Sequence, residues 1–160
     1  MSPVLVILMG SKSDLSFAKK IAEAAQPFGF EVVMRIASAH KTAAHALKLL
    51  QQYETDTRPK VYITIAGRSN ALSGFTDGAV LAPVIACPPY SEAFSGADIF
   101  SSLRMPSGIA PAVVLEPANA ALLAAKIIAV ADPEMRKAVK TYQAKMQKDI
   151  LMDDQEIQTL

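Results

Sequence analysis

Apolar and polar positions alternate along this chain in blocks that switch between the strand and the helix period. Val4 to Met9 is an unbroken apolar run that stops at Gly10, and Ala18, Ile21, Ala22, Ala25 and Phe28 then recur at helical spacing. The same sequence of strand, break and helix returns with Glu31 to Ala37, which puts Val32, Met34 and Ile36 on one face. The break SAHKT follows, then a helix marked by Ala43, Leu47 and Leu50. Val61 to Ala66, Pro83 to Cys87 and Ala112 to Leu115 read as further strands, the last leading into a helix from Asn119 to about Val130. Strands that alternate with helices imply a parallel sheet with right-handed crossovers and helices on both faces. Unbroken apolar runs such as VLVILM and PVIAC suit strands buried on both sides.

In such a sheet ligands bind beyond the carboxyl ends of the strands, above all where the strand order reverses. The loops that emerge there are GSKSD (Gly10–Asp14), SAHKT (Ser38–Thr42), GRSNALSG (Gly67–Gly74) and PPYSEAFSGAD (Pro88–Asp98). The final helix, Pro133 to about Leu151, carries Met135, Val139, Tyr142, Met146 and Ile150 as an apolar stripe. Two dockings suit that stripe, its own domain or a neighbouring subunit.

Composition narrows the class. A chain of 160 residues, 51% of them hydrophobic, sustains one core, so residues 1–160 are expected to form a single domain. Sixteen basic against fifteen acidic side chains give a net charge of +1 without a basic block, which argues against a nucleic-acid partner. No segment reaches the roughly 18 to 20 apolar residues of a membrane span. The lone Cys87 fits a reducing, cytoplasmic setting.

The loops hold the candidate chemistry. In GSKSD, Gly10 allows a tight turn and the helix start offers free amides, with Ser11 and Ser13 adding hydroxyls for a phosphate or carboxylate. Asp14 either complements the helix dipole or accepts from ribose hydroxyls. It is neither a Walker A loop nor a dinucleotide fingerprint. SAHKT sets His40 beside Lys41, a cation suited to phosphate, and Ser38. His45 points away from His40 along a helix and reads as a surface residue. Gly67, Ser69 and Asn70 offer donors to an oxyanion, although a helix start has the same pattern. Ser101 to Pro111 reads as a pocket wall shaped by Pro106 and Gly108, with Met105 and Ser107 as possible pocket residues; an ordinary connecting loop is the alternative. Ala144, Lys145 and Met146 only faintly echo a biotin site and are set aside.

Taken together, GSKSD, SAHK, AGRSNALSG and SSLRMPSG resemble the signature loops of the phosphoribosylaminoimidazole carboxylase family, PurE, over nearly the whole chain. The resemblance implies a flavodoxin-like three-layer α/β/α domain, a cytoplasmic homo-octamer with shared active sites, and no metal or other cofactor. The family's mutase class typically has SAHR and AGGAAHLPG; Lys41 and AGRSNALSG match instead the class that carboxylates aminoimidazole ribonucleotide directly with carbon dioxide. Carried over by position, Ser11, Asp14, Ser38, Lys41, Gly67 and Ser69 are expected to bind the ribonucleotide and the carboxyl group. Asp14 would take the ribose hydroxyls, Ser38 and Lys41 would lie on the phosphate side, and His40 would move the proton. Three rival expectations remain: the mutase reaction on N5-carboxyaminoimidazole ribonucleotide, a flavin mononucleotide module stacking its ring on Tyr90, and a phospho-receiver domain, which lacks the acidic pair for magnesium. Pro88 to Gly96 is the expected lid.

Overall fold

The computed structural model describes residues 1–159. Five parallel strands, β1 (Val4–Met9), β2 (Glu31–Ile36), β3 (Lys60–Ile65), β4 (Val84–Ala86) and β5 (Ala112–Val113), form one sheet in the order β2-β1-β3-β4-β5. The helices are α1 (Leu15–Ala25), α2 (Ala43–Glu54), α3 (Ala71–Asp77), α4 (Phe100–Leu103), α5 (Pro117–Ala129) and α6 (Pro133–Ile157). This strand order is the flavodoxin-like one, and its reversal falls between β1 and β3. The fold is the expected three-layer α/β/α arrangement.

The period of two in β1 sorts the core into halves. Leu5, Ile7 and Met9 pack with Ala18 and Ile21 of α1, the alanine-rich face of α5, and Met135 and Val139 of α6. Val4, Val6 and Leu8 pack with Ala46, Leu49 and Leu50 of α2 and Leu72 of α3. All six β1 side chains are buried, so the strand reads as uniformly apolar although its faces serve different helices. Small side chains at Ala120, Ala121, Ala124 and Ala125 let α5 lie close to its neighbours.

Val32, Met34 and Ile36 share one face of the edge strand β2, with Val32 packed against the core and Met34 and Ile36 exposed, 39% and 44%. Other expectations need correction. Strand β5 pairs with β4 over two residues only, and the chain then turns toward α5, whose Pro117 occupies its first turn, two residues before Asn119. Ser101–Leu103 is helical rather than loop. Helix α6 runs six residues past Leu151, since the tail has no Gly or Pro to stop it and Gln158 Nε2 donates to Asp154 Oδ2 at 2.8 Å. At its start Asp132 Oδ1 accepts from the amides of Glu134 and Met135 at 2.9 and 3.0 Å, a regular N-cap. The stripe of α6 docks on its own domain through Met135, Val139 and Tyr142, the last tilted against Phe28 with ring centroids 5.2 Å apart. Its distal part, from Met146 through Ile150 and Leu151, is exposed. No helix of the described residues is long and apolar enough to cross a membrane.

Candidate active site

Met9 pairs in register with both Ile36 and Ile65, so β1, β2 and β3 end at one level and their loops emerge side by side. Gly10 N donates to Ile65 O, and Ala37 N to Met9 O, each at 2.9 Å, which carries the parallel ladder to the first loop residues. Together the loops enclose a cleft of about 440 Å³. It is lined by Gly10, Ser11, Ser13 and Asp14 from the first loop, Ser38 to Lys41 from the second, and Ala66 to Ser69 with Leu72 from the third. The expected set of Ser11, Asp14, Ser38, His40, Lys41, Gly67 and Ser69 is therefore brought together, with Ser13 beside it.

The first loop is held by a capping box. Ser11 N donates to Asp14 Oδ2 at 3.0 Å, Ser11 Oγ lies 3.3 Å from the same oxygen, and the hydroxyls of Ser11 and Ser13 are 2.5 Å apart. Gly10 keeps an ordinary negative φ, and a Cβ there would meet only normal contacts, the nearest Ile65 O at 3.6 Å, with Asp14 Oδ2 at 3.8 Å. Neither a close approach nor a left-handed turn requires a glycine at this position.

The second loop is stapled by Thr42, whose importance the sequence did not signal. Thr42 Oγ1 accepts from Ser38 N at 2.9 Å and donates to Ser38 O at 3.2 Å, while Thr42 N also donates to Ser38 O. Ser38 Oγ accepts from Lys41 N at 3.1 Å. Ser38 thus shapes the turn as well as lining the cleft, and His40 and Lys41 stand exposed at its tip. His45 is exposed on α2, as expected.

In the third loop the unusual backbone belongs to Arg68, with φ of 56°, in the left-handed region that disfavours a side chain. Arg68 lines the cleft as its second cation beside Lys41 and was missed at the level of sequence, where only its small neighbours were considered. A left-handed non-glycine residue at a strand end often marks a functional turn. Asn70, by contrast, is 3% exposed and does not line the cleft. Its Oδ1 caps α3, accepting from Ser73 N at 3.2 Å and Ser73 Oγ at 2.7 Å, and its Nδ2 donates to Ser102 Oγ at 2.8 Å. The helix-start alternative holds for that side chain. Met105 and Ser107 also lie off this cleft: Met105 Sδ is 3.0 Å from where a Cβ on Gly74 would sit, and Ser107 is exposed.

A second hollow of about 440 Å³ adjoins the cleft at Ala66 and Gly67 and is walled by Phe17, Pro88, Pro89, Tyr90, Ile99 and Leu115, among others. The segment expected to act as a lid lines this hollow, and its far end holds Phe94, Ser95 and Gly96 at φ of 51°, 53° and 79°. Tyr90 lies there, 85% exposed, and is not among the residues lining the cleft with GSKSD.

The titrating groups with displaced pKa values lie outside the cleft. Burial pushes the Cys87 thiol up to about 12, with the Glu116 charge adding to the effect. Tyr62, fully buried and donating to Glu54 Oε1 at 2.9 Å, is held well above the usual phenol range by burial first and that bond second. Arg58 bonds to Asp56 and Glu31 at the opposite end of the sheet and lowers both carboxyls, Asp56 to about 2.

A flavodoxin-like sheet whose reversal point carries two cations, a carboxylate, an imidazole and a row of hydroxyls defines an α/β enzyme for a small anionic substrate. Comparison with known proteins makes this specific. Residues 4–149 match the AIR carboxylase family. The chain is 57% identical over 157 residues to the phosphoribosylaminoimidazole carboxylase of Treponema denticola, covering 98% of this chain and 99% of that one. It is 54% identical over 152 residues to the protein of that name from Archaeoglobus fulgidus, covering 95% and 83%. The crystal structure of Treponema denticola PurE superposes with a TM-score of 0.94 at 58% identity, over 96% of this chain and 98% of that one. The chain belongs to the AIR carboxylase family and is a carboxy-lyase of purine biosynthesis.

Proposed function

We propose that the cleft joins carbon dioxide directly to C4 of aminoimidazole ribonucleotide, reversibly, with His40 as the proton-transfer residue. The observation that carries this reading is the exposed imidazole at the tip of the stapled Ser38–Thr42 turn, in one cleft with Asp14, Lys41 and Arg68.

C4 of aminoimidazole is an enamine carbon, nucleophilic enough to attack carbon dioxide without prior activation. The C4–C bond forms from the enamine electron pair, and C4 becomes tetrahedral, bearing both its hydrogen and the new carboxylate. His40 takes that hydrogen as a proton, and the C–H pair returns to the ring. In the reverse direction the imidazolium gives the proton back and the C4–carboxyl bond breaks. Histidine suits both roles near neutral pH. Gly67, Ser69 and Arg68 orient carbon dioxide and stabilise the charge that develops on the carboxylate. Asp14 takes the ribose hydroxyls, and Ser11, Ser13, Ser38 and Lys41 hold the phosphate side. Confining a weakly binding gas beside the enamine is a gain in proximity.

The protein acts in the cytoplasm as an octamer of identical subunits. Uncovered apolar side chains support assembly: Met34 and Ile36 on the edge strand, Tyr90 at the second hollow, Phe94, Phe100 and Leu103 in the chain that follows it, and Ile150 and Leu151 on α6. The distal stripe of α6 then packs on a neighbouring subunit, and Met105 and Ser107 face a site completed by one.

The deciding assay gives purified protein aminoimidazole ribonucleotide with saturating carbon dioxide, beside N5-carboxyaminoimidazole ribonucleotide without ATP. Turnover only of the first is expected. Turnover only of the second makes the protein a mutase despite Lys41 and AGRSN, and silence in both rejects the reading.

A further inference from the structure

The stretch that begins at Ser101 does not line the cleft, yet it holds the third cleft loop at both ends. Ser101 Oγ accepts from Asn70 N at 2.9 Å and lies 3.2 Å from Arg68 O and 2.8 Å from Asp98 O, the two carbonyls that share its single proton. Arg68 O and Asn70 N flank Ser69, so one hydroxyl bridges the turn that presents Arg68 and Ser69 to the cleft. The support beneath it is buried and polar. Ser102 Oγ accepts from Asn70 Nδ2, Asn70 Oδ1 takes Ser73, and Ser73 Oγ lies 2.7 Å from Thr64 Oγ1 on β3. Thr64, Asn70, Ser73 and Ser102 are 0%, 3%, 0% and 2% exposed.

Two facts give this bridge a purpose. Arg68 sits at φ of 56°, a conformation that an arginine adopts only when its surroundings hold it there. The bonds that hold it also come from a segment remote in sequence, with Ser101 33 residues from Arg68 and 31 from Asn70. We infer that Ser101 is a positioning residue for the proposed reaction: its hydroxyl clamps the Arg68–Asn70 turn and so fixes the groups that receive carbon dioxide, without itself touching substrate. The inference rests on the carboxylase reading above.

The test compares wild type, Ser101→Ala and Ser101→Thr with carbon dioxide and the ribonucleotide varied in turn. Ser101→Ala is expected to raise the KM for carbon dioxide or lower kcat about tenfold while leaving the ribonucleotide KM within about twofold, because only the carboxyl end of the cleft is displaced. Ser101→Thr keeps the hydroxyl and restores activity to within about threefold of wild type. Should Ser101→Ala fail to fold, Ser101→Cys, with a longer and weaker sulfhydryl bond, carries the same expectation. Unchanged constants in Ser101→Ala, equal losses for both substrates, or a threonine variant as poor as alanine each overturn the inference. A wild type silent with carbon dioxide overturns the carboxylase reading and this inference with it; an active wild type with an unaffected Ser101→Ala overturns this inference alone.

Discussion

The amide of Ser11 donates to the Asp14 carboxylate at 3.0 Å, so the residue expected to meet the ribose also fastens the loop that starts α1. The two jobs separate in two variants. Asp14→Asn retains a side-chain oxygen for the cap but loses the charge, and is expected to raise the ribonucleotide KM about tenfold with little change in melting temperature. Asp14→Ala is expected to show the same KM defect and lose about 1 kcal/mol of stability as well. An Asp14→Asn enzyme with a normal KM removes Asp14 from the ribose.

His40 is exposed at the tip of its turn and makes no bond that shapes the loop, because Ser38 and Thr42 carry those. His40→Asn is therefore expected to melt as wild type does and to bind the ribonucleotide normally in calorimetry, while kcat falls on the order of 10² or more. Near-normal turnover in this variant assigns the proton transfer to another group.

Lys41 supplies its amide to the turn and also lines the cleft. Lys41→Ala leaves the amide in place, so steady-state kinetics should show the ribonucleotide KM rising by a larger factor than kcat falls, as expected for a phosphate contact made equally in ground and transition states. The opposite pattern puts Lys41 in the chemical step.

Much of this site was legible in the sequence because its parts are local. A strand that ends and a polar loop that follows lie within one short window, and the parallel-sheet rule then collects such loops at one end. What stayed hidden depends on partners distant in the chain. Nothing near Asn70 announces that Ser102 will bury its amide, and nothing near Arg68 announces a left-handed backbone held by Ser101. At Met34 and Ile36 alternation marks a shared face but not its exposure, because only the tertiary arrangement decides whether a face is covered. The end of α6 was underestimated because its last turns are polar and owe their helicity to propensity and the absence of a breaker, not to an apolar stripe.

Asp56 sets an acid limit on stability. Its hydrogen bonds from the Arg58 side chain, and next from the Arg58 amide, hold the carboxyl down at about 2 against an ordinary 3.8. A depressed carboxyl contributes stability above its unfolded pKa and loses that contribution as pH falls through the folded one. The gap in urea midpoint between wild type and Asp56→Asn should thus be full near neutral pH, narrow between 3.8 and about 2, and close below that interval. A gap independent of pH removes the ionised carboxyl from the explanation.

Cys87 directly follows β4 and is fully buried, its thiol pushed up to about 12 by burial. Because the thiolate is the reactive form, an aromatic disulfide reagent at mildly alkaline pH should label native protein only at the rate of unfolding and label urea-unfolded protein at once. Rapid labelling of native protein would mean that the strand end opens without unfolding.

The common level of Met9, Ile36 and Ile65 also decides where the coding sequence can gain or lose a codon. One residue inserted within β1 pushes Gly10–Asp14 outward by about 3.3 Å and exchanges the side chains of every following strand position between the two core halves. The same insertion at Gly29, where the turn is open and the chain is entering β2, is taken up in a bend at the opposite end of the sheet. Length variation is thus polarised along the strand axis: permissible where strands begin, and ruinous where they end.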